Sequence, residues 1–347
     1  MNAPHLPPLD YPYAEPPPPG RTIEVANGLH WLRMPLPFAL NHINLWLARE
    51  SNGFCLIDTG YGDAPTRSLW EAHFASTLAG LPITRIVATH YHPDHLGNAA
   101  WLAERFGCGV SMTHGEFMTA HAVADERAGF APSDFAVLFA THGMPAEHVA
   151  ALGARGNLYR RGVPQVPERY ARVVGGDVIR AGAFDWTVII GRGHSPEHAA
   201  LDSAAAGVLI SGDMLLPKIT TNVSVPPSEP EGDTLGRFLS SLEAFAALPG
   251  TTLVLPSHGL PFRGIASRID FLKMHHEERL AELHAAVRSA SAPVSAADII
   301  PVLFRRELDL QQRFFAMGEA IAHLNHLWRV GRISRLIGVS GGVRFAA

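Results

Sequence analysis

The pattern of apolar and polar positions divides the chain into a first part rich in strands and a last part rich in helices. Short apolar runs bounded by turn residues predict strands at 29–34, 43–48, 54–57, 83–88, 187–190, 207–210 and 252–255. Residues 65–78 and 93–106 read as helices, the second with Pro93 in its first turn and Gly107 at its end. Strands mixed with helices around two sheets predict an α/β (α+β) fold, an αββα sandwich.

The remaining segments predict the domain organisation. Residues 1–21 form a proline-rich arm that is either extended on the surface or disordered. Residues 22–266 form the larger domain, and its segment 116–170 is a helical insert of the kind that makes a lid or a pocket wall. Residues 267–347 form a helical C-terminal domain.

The C-terminal domain has a simple predicted order of elements. Helices are expected at 268–289, at 295–307 with a break at Pro301, and at 311–330. Ser295 followed by Asp298 is typical of a helix-start capping pattern. The last residues predict a two-stranded ribbon around Gly341 and Gly342.

Composition and charge narrow the functional classes. The chain has 347 residues, a net charge of -4 and a pI near 6.5, so it has no general attraction for nucleic acid or for an anionic membrane. Cys55 and Cys108 are expected to be buried thiols in a reducing cytoplasm. The sequence shows neither a secretory signal nor an apolar run near the roughly 20 residues of a membrane-spanning helix, which predicts a cytoplasmic protein.

One short segment concentrates potential metal ligands. His90, His92, Asp94 and His95 fall within six residues, between a predicted strand and a predicted helix. Alternate residues of an extended segment share a face, so His90 and His92 can point at one metal ion. Asp94 and His95 lie on the first helical turn and can point at a second ion nearby.

Three later strands each end in a further candidate ligand. His194, Asp213 and His258 follow the strands at 187–190, 207–210 and 252–255. Strand ends at one edge of a sheet converge in space. Imidazole and carboxylate ligands suit zinc, and also iron or manganese. The sequence therefore predicts two divalent metal ions as cofactors, with zinc favoured.

These residues resemble the metallo-β-lactamase superfamily over roughly residues 22–265. The segment from His90 to His95 matches its HxHxDH motif, and Leu56-Ile57-Asp58-Thr59-Gly60 matches its early strand motif. The resemblance implies an αββα fold, one metal on His90, His92 and His194, and another on Asp94, His95 and His258. It also implies that Asp213 bridges the two metals and that Asp58 braces the metal loop.

Two further resemblances bear on the branch of the superfamily. The segment from His194 to His198 resembles the HTPGH segment of glyoxalase II, and His198 is then a structural residue or supports a ligand from behind. The helical tail resembles the winged-helix-like domain of a branch that includes the β-lactamase-like protein 2 group.

The predicted activity is hydrolysis by a metal-bound hydroxide, since two divalent ions lower the pKa of a shared water. The expected substrate is a small-molecule thioester, ester or lactone. Asp94 either accepts a proton or acts only as a ligand, and Tyr91 either donates to a developing oxyanion or packs under the helix start. Candidate substrate-binding residues are Lys218, which is equally well an ordinary surface lysine, and also Asn222 and Tyr159.

Two other activities remain as alternatives. An endoribonuclease or phosphodiesterase would suit the resemblance of the tail, which carries a modest basic patch at Arg329, Arg332, Arg335 and Arg344. A persulfide dioxygenase would use a single iron at the same motif. Such a tail also serves dimerisation or closing of the pocket, and these roles are favoured over the binding of nucleic acid, so a homodimer is one expectation.

Overall fold

Two β-sheets pack face to face between layers of helices in the computed structural model, which describes residues 8–339 and 341–347. The first sheet has its strands in chain order, with the bounds Ile23–Ala26 (β1), Leu29–Pro35 (β2), His42–Glu50 (β3), Gly53–Ile57 (β4), Ile83–Val87 (β5), Gly109–Met112 (β6) and Ala171–Arg172 (β7). The second has the order β12-β11-β10-β9-β8, with the bounds Val178–Ala181 (β8), Phe184–Gly191 (β9), His198–Ser203 (β10), Val208–Gly212 (β11) and Leu253–Pro256 (β12).

The strand directions place the ends that matter for function. Strands β4, β5, β6 and β7 are parallel neighbours, and β11 pairs in parallel with β12. Parallel neighbours end at the same edge of a sheet. The loops after β4 and β5 therefore lie together, as do those after β11 and β12.

Helices cover both outer faces of the sandwich. They are Ala64–Ala75 (α1), Pro93–Leu96 (α2), Ala99–Phe106 (α3), His114–Ala124 (α4), Pro132–Thr141 (α5), Ala146–Gly153 (α6), Tyr159–Gly162 (α7), Thr234–Ala246 (α8), Ile265–Ser289 (α9), Ala296–Leu303 (α10) and Leu310–Arg329 (α11). The ribbon Ser334–Ile337 (β13) and Val343–Ala346 (β14) follows. The ribbon and most predicted strands are confirmed, whereas the strands β1, β6, β7, β8 and β10 and the helix α8 were not predicted.

The core between the two sheets is aromatic. Trp31 and Trp46 stack with their ring centres 6.2 Å apart, and both are almost fully buried together with Trp186 of the opposite sheet. Burying one large side chain stabilises a fold by about 1.5–3 kcal/mol. Two further cores lie on the outer faces, one under α1 and α3 and one under α8, α9 and α11. This layering confirms the predicted αββα sandwich.

The single helix predicted at 93–106 is wrong, because the chain forms α2 and α3 with a break at Gly97 and Asn98. A side chain at Gly97 would collide with the carbonyl oxygen of Gly162, so this position allows a close backbone approach. The Asn98 amide donates to the carbonyl of Tyr61 over 2.8 Å. The break thus ties the helix start to the loop after β4.

In the C-terminal part, the predicted capping pattern is confirmed and the predicted break at Pro301 is wrong. The Asp298 carboxylate accepts from the Ser295 backbone N–H over 2.8 Å at the start of α10. Helix α10 continues through Pro301, which has no N–H to donate, and ends two residues later at Leu303 instead of at the predicted residue 307. Helix α9 begins at Ile265, three residues before the predicted start.

The N-terminal arm lies on the surface where the structure describes it. The backbones of Asp10 and Arg263 exchange hydrogen bonds, and Tyr13 packs edge-on against Trp31 at 6.0 Å. Residues 1–7 of the predicted arm lie outside the described residues. Cys55 is buried and Cys108 half-buried, and both are free thiols. Across the described range, no helix has the length and apolarity needed to cross a bilayer.

Candidate metal centre

The turn between β5 and α2 carries four of the predicted ligands. His90 and His92 lie on the extended part of this turn, and Asp94 and His95 lie on the first turn of α2, which begins at Pro93. His194 follows β9, Asp213 follows β11 and His258 follows β12. The fold brings all seven side chains to one edge of the sandwich, where they form two adjoining groups.

The first group consists of His90, His92, His194 and Asp213, whose candidate ligand atoms all lie within 4.8 Å of one another. The Nε2 atom of His90 is 2.9 Å from Nδ1 of His92 and 3.3 Å from Nε2 of His194. The Nε2 atom of His194 is also 3.3 Å from Oδ2 of Asp213. Three ring nitrogens and one carboxylate oxygen thus converge on one point.

The second group consists of Asp94, His95 and His258. Oδ2 of Asp94 is 3.6 Å from Nε2 of His95 and 3.4 Å from Nε2 of His258. Oδ1 of Asp213 is 3.5 Å from each of the same two nitrogens. Asp213 therefore turns one oxygen to each group, which is the geometry that a bridging carboxylate needs.

Hydrogen bonds behind the rings fix which nitrogen faces each group. The Nδ1 atom of His194 lies 2.7 Å from the carbonyl of Asn222, and Nδ1 of His258 lies 2.8 Å from the carbonyl of His42. A carbonyl oxygen only accepts, so each Nδ1 carries a proton and each Nε2 is the nitrogen that is left to bind a metal. The lone pairs point into the site, as metal ligation requires.

The two groups differ in their electrostatics. Burial and the neighbouring His194 lower the pKa of His92 to about 3, so this imidazole is neutral. Burial acts in the same direction on His258, but the carboxylates of Asp213 and Asp94 outweigh it and raise its pKa to about 10. The carboxylates beside the second group thus favour a positive charge there, either a proton on His258 or a metal ion.

These residues fit a pair of divalent metal ions. Nε2 of His95 and Oδ1 of Asp213 are buried and have no hydrogen-bond partner among the described residues, which is costly unless a cation meets them. Imidazole and carboxylate donors suit zinc, iron and manganese alike. The donor set therefore supports divalent metal binding and does not distinguish between these metals.

Asp58, directly after β4, is hydrogen-bonded to the ligand-bearing turn between β5 and α2. Its Oδ2 is 2.7 Å from Nδ1 of His95, and its Oδ1 accepts from the backbone N–H of Thr89 over 2.7 Å. The residue has a φ of 60°, which is uncommon for any residue but glycine and aims the carboxylate back at the turn. These contacts match the bracing role expected from the resemblance.

His198 supports Asp213 from behind. Its Nε2 accepts the backbone N–H of Asp213 over 3.1 Å, and the ring is fully buried. The preceding Gly212 has a φ of 53°, and a Cβ there would collide with the same nitrogen. The imidazole thus occupies the space that a side chain at position 212 would fill.

Glu116 is a site residue that sequence reasoning missed. Its buried carboxylate accepts from the Tyr91 backbone N–H over 3.0 Å, from the Ser195 hydroxyl over 2.7 Å and from the Glu197 backbone N–H over 2.6 Å. Burial raises the pKa of Glu116 to about 7 in spite of these bonds. It ties the turn of His90 and His92 to the loop of His194. A lone glutamate in a helix-like segment gave no signal of this role.

The other predicted residues are placed as follows. The Tyr91 ring packs near His92 and Tyr159, at 4.6 and 6.1 Å between ring centres, and the Tyr159 hydroxyl donates to the Tyr91 carbonyl over 2.7 Å. Asn222 lies beside His194 and lines a pocket, whereas Lys218 is exposed and does not line it. The catalytic and substrate-binding roles of these residues stay predictions.

A pocket of about 310 Å³ opens at His92. Its walls come from the segment 123–159, from the loop after β11 and from α11. They are mainly apolar, and the lining includes Phe130, Phe135, Phe139, Leu152, Val225, Phe314 and Phe315. Tyr159 and Asn222 line the pocket as well.

Paired sheets between helices, with two His/Asp groups at one edge and a pocket beside them, define a protein of the metallo-hydrolase class. The comparisons agree. The profile of the metallo-beta-lactamase superfamily matches residues 40–258, and that of the metallo-beta-lactamase-like C-terminal domain matches residues 280–347. The chain belongs to the metallo-beta-lactamase superfamily.

Several relatives are similar over most of their length. A beta-lactamase domain protein from Burkholderia ambifaria is 45% identical, with a TM-score of 0.86 and 98% of both chains covered. A metallo-beta-lactamase family protein from Thermus thermophilus is 30% identical, with a TM-score of 0.77, over 93% of this chain and 99% of that one. The "Probable metallo-hydrolase YqjP" of Bacillus subtilis is 24% identical over 85% of this chain and 91% of its own length.

Proposed function

We propose that this metallo-hydrolase cleaves a small-molecule ester, thioester or lactone and that it works with two divalent metal ions, with zinc favoured. The observation that carries the proposal is the apolar pocket that starts at the metal ligand His92. A pocket of this size lined by several phenylalanines suits an acyl chain, and it offers little to the phosphates of a nucleic acid.

The bound metals would supply an activated water and a Lewis acid for the substrate carbonyl. The chain's own groups hold this site in shape. Asp58 orients His95, and the carbonyls of Asn222 and His42 orient His194 and His258. Asp94 is partly exposed beside His258, so it can accept a proton from the attacking water and pass it to the leaving group. The pocket walls exclude water from the bound acyl chain.

Acidic side chains neutralise much of the basic patch predicted on the tail, which argues against the nuclease alternative. Arg335 pairs with Glu231 at 2.9 Å, and Arg332 pairs with Glu277 at 3.3 Å. Arg329 donates to the Glu231 carbonyl over 2.9 Å. Positive charge that acidic side chains already neutralise attracts phosphates weakly. We therefore expect RNA to be a poor substrate.

Asp94, His95 and His258 offer donors for a second ion, which favours a hydrolase with two metals over a persulfide dioxygenase with a single iron. We also propose that the tail closes the pocket, since α11 supplies part of its wall. Three expectations from the sequence stay predictions: a winged-helix-like tail, a homodimer and a cytoplasmic location.

Metal analysis and a substrate panel test the proposal. The purified protein should hold close to two divalent ions per chain and should hydrolyse 4-nitrophenyl esters, thioesters or lactones of apolar acids in preference to single-stranded RNA at fixed salt. His92→Ala should abolish this activity, whereas His148→Ala, at a half-buried histidine of α6 outside both groups, should not. Turnover of RNA alone, or one iron with consumption of oxygen, would overturn the proposal.

A further inference from the structure

Arg155 and Gln311 come from distant parts of the chain and meet in the wall of the apolar pocket. Arg155 follows α6, and Gln311 lies in the first turn of α11. Nη2 of Arg155 donates to Oε1 of Gln311, and the guanidinium lies 4.9 Å from the ring centre of Phe314. Both residues line the same cavity as His92. The pocket thus has a metal ligand and a guanidinium in one continuous lining.

The charge of Arg155 has no acidic partner within residues 8–339 and 341–347. Its hydrogen-bond acceptor is a neutral amide, and no carboxylate lies within ion-pair distance. Burial lowers the pKa of Arg155, and the nearby Arg161 adds to this in the same direction. The neighbouring Arg160, in contrast, pairs with Asp125. A half-buried cation without a counter-ion is expected to attract an anion.

The geometry of the free donors selects the anion. Nη2 of Arg155 carries two hydrogens and gives one of them to Gln311, and the guanidinium makes no other hydrogen bond within the described residues, so Nη2 and one neighbouring nitrogen can still donate side by side. Arg155 occupies Oε1 of Gln311, and the Gln311 amide nitrogen makes no hydrogen bond within the described part of the chain, so it can donate as well. One guanidinium edge and one amide provide a few nearly coplanar donors, which match the two oxygens of a carboxylate. A phosphate dianion calls for more cations than this wall presents.

We propose that Arg155 and Gln311 form a carboxylate-binding subsite, so that the preferred substrate is an ester or thioester whose apolar acyl chain ends in a carboxylate. This inference rests on the proposed function for the scissile bond, but the binding of the anion does not depend on it. The apolar walls hold the chain, the metal centre meets the carbonyl, and Arg155 holds the far end. The charge-assisted bond would also fix the length and direction of the bound acid.

Paired substrates test the subsite. We would compare 4-nitrophenyl half-esters of butanedioic, hexanedioic and octanedioic acid with the methyl-ended esters of the same length. At the best length, Arg155→Met should reduce kcat/KM for the half-ester by about 10- to 100-fold, mainly through KM, as expected for the loss of a charge-assisted bond. The methyl-ended ester should change by less than about twofold. Arg127→Met, at an exposed arginine outside the pocket, is the matched control and should change neither.

Binding of inert ligands separates the subsite from the activity. Calorimetry with octanoate and with octyl phosphate would be run on the metal-loaded wild type, on Arg155→Met and on Arg127→Met. Octanoate should bind at least about tenfold more weakly to Arg155→Met alone. If octanoate affinity does not depend on Arg155, or if only octyl phosphate does, the carboxylate subsite is wrong. If neither ester is hydrolysed but octanoate binding depends on Arg155, the proposed function fails and the subsite stands.

Discussion

Replacing Glu116 by glutamine should make the metal-free protein more stable relative to the wild type as the pH rises, while it weakens metal binding. The wild-type carboxylate is buried and faces three donors, from Tyr91, Ser195 and Glu197. Burial favours the neutral form and raises the pKa of Glu116 from 4.5 to about 7. Glutamine keeps the shape and one acceptor oxygen, but it never carries the charge.

The magnitude and its sign follow from this pKa. A carboxyl group whose pKa is raised on folding stabilises the fold fully below its unfolded pKa, and this contribution is lost as the pH rises through the folded pKa. For a rise from 4.5 to about 7, the loss between pH 5 and pH 8.5 is about 2–3 kcal/mol. The glutamine variant has no such loss. The wild-type advantage should therefore fall by that amount over this range.

Urea unfolding of metal-depleted protein at pH 5, 7 and 8.5 measures the effect, and a chelator competition at pH 7.5 measures metal affinity. We expect the affinity to fall by about 10- to 100-fold, since the carboxylate holds the backbone of Tyr91 between two ligands. Glu104→Gln, at an exposed position, is the control. A stability difference that does not change with pH would refute the reasoning, because the three donors would then fully offset the burial of the charge.

Three further outcomes are expected. Gly212→Ala should reduce the metal content and lower the free energy of unfolding by several kcal/mol, because its Cβ would collide with the buried ring of His198. The control Gly207→Ala has a similar φ of 63° in open space and should cost only about 1–2 kcal/mol. Equal losses of stability in thermal unfolding would contradict this. Burial lowers the pKa of His276 to about 2 and that of His323 to about 4. Both imidazoles are thus neutral in the folded protein, so the free energy of unfolding falls as the pH drops below about 6.5. Between pH 7.5 and 5 the wild type should lose about 4 kcal/mol more than the double variant His276→Leu/His323→Leu. Urea unfolding that shows the same pH dependence for both proteins would disprove a neutral pair. Asp213→Ala should leave the circular dichroism spectrum largely intact but abolish hydrolysis and lower the metal count; unchanged turnover would rule out the assigned bridge.

The sequence predicted the convergence of the seven ligands because each follows a short apolar strand. Parallel neighbours end at one edge of a sheet, which places Asp213 and His258 together, whereas His90 follows a strand of the other sheet and meets them because the two sheets pack face to face. Their hydrogen-bond partners could not be predicted in the same way. The carbonyls of Asn222 and His42 are backbone atoms, which leave no mark in the sequence.

Other features depend on contacts between distant segments. The break at Gly97 depends on the backbones of Gly60 and Gly162, which only the folded chain brings near. Arg155 and Gln311 meet although 156 positions separate them. The sequence did predict that the segment 116–170 forms a lid or a pocket wall, and residues of this segment line the pocket.

The position of α11 in the pocket wall has a consequence for the synthesis of the protein. The candidate metal ligands are complete once the chain has passed His258, but Gln311 and Phe314 emerge only near its end. On the ribosome, all the candidate ligands are therefore synthesised before the last wall of the pocket. A chain that ends before α11 would lack this wall of the pocket and with it Gln311 and Phe314.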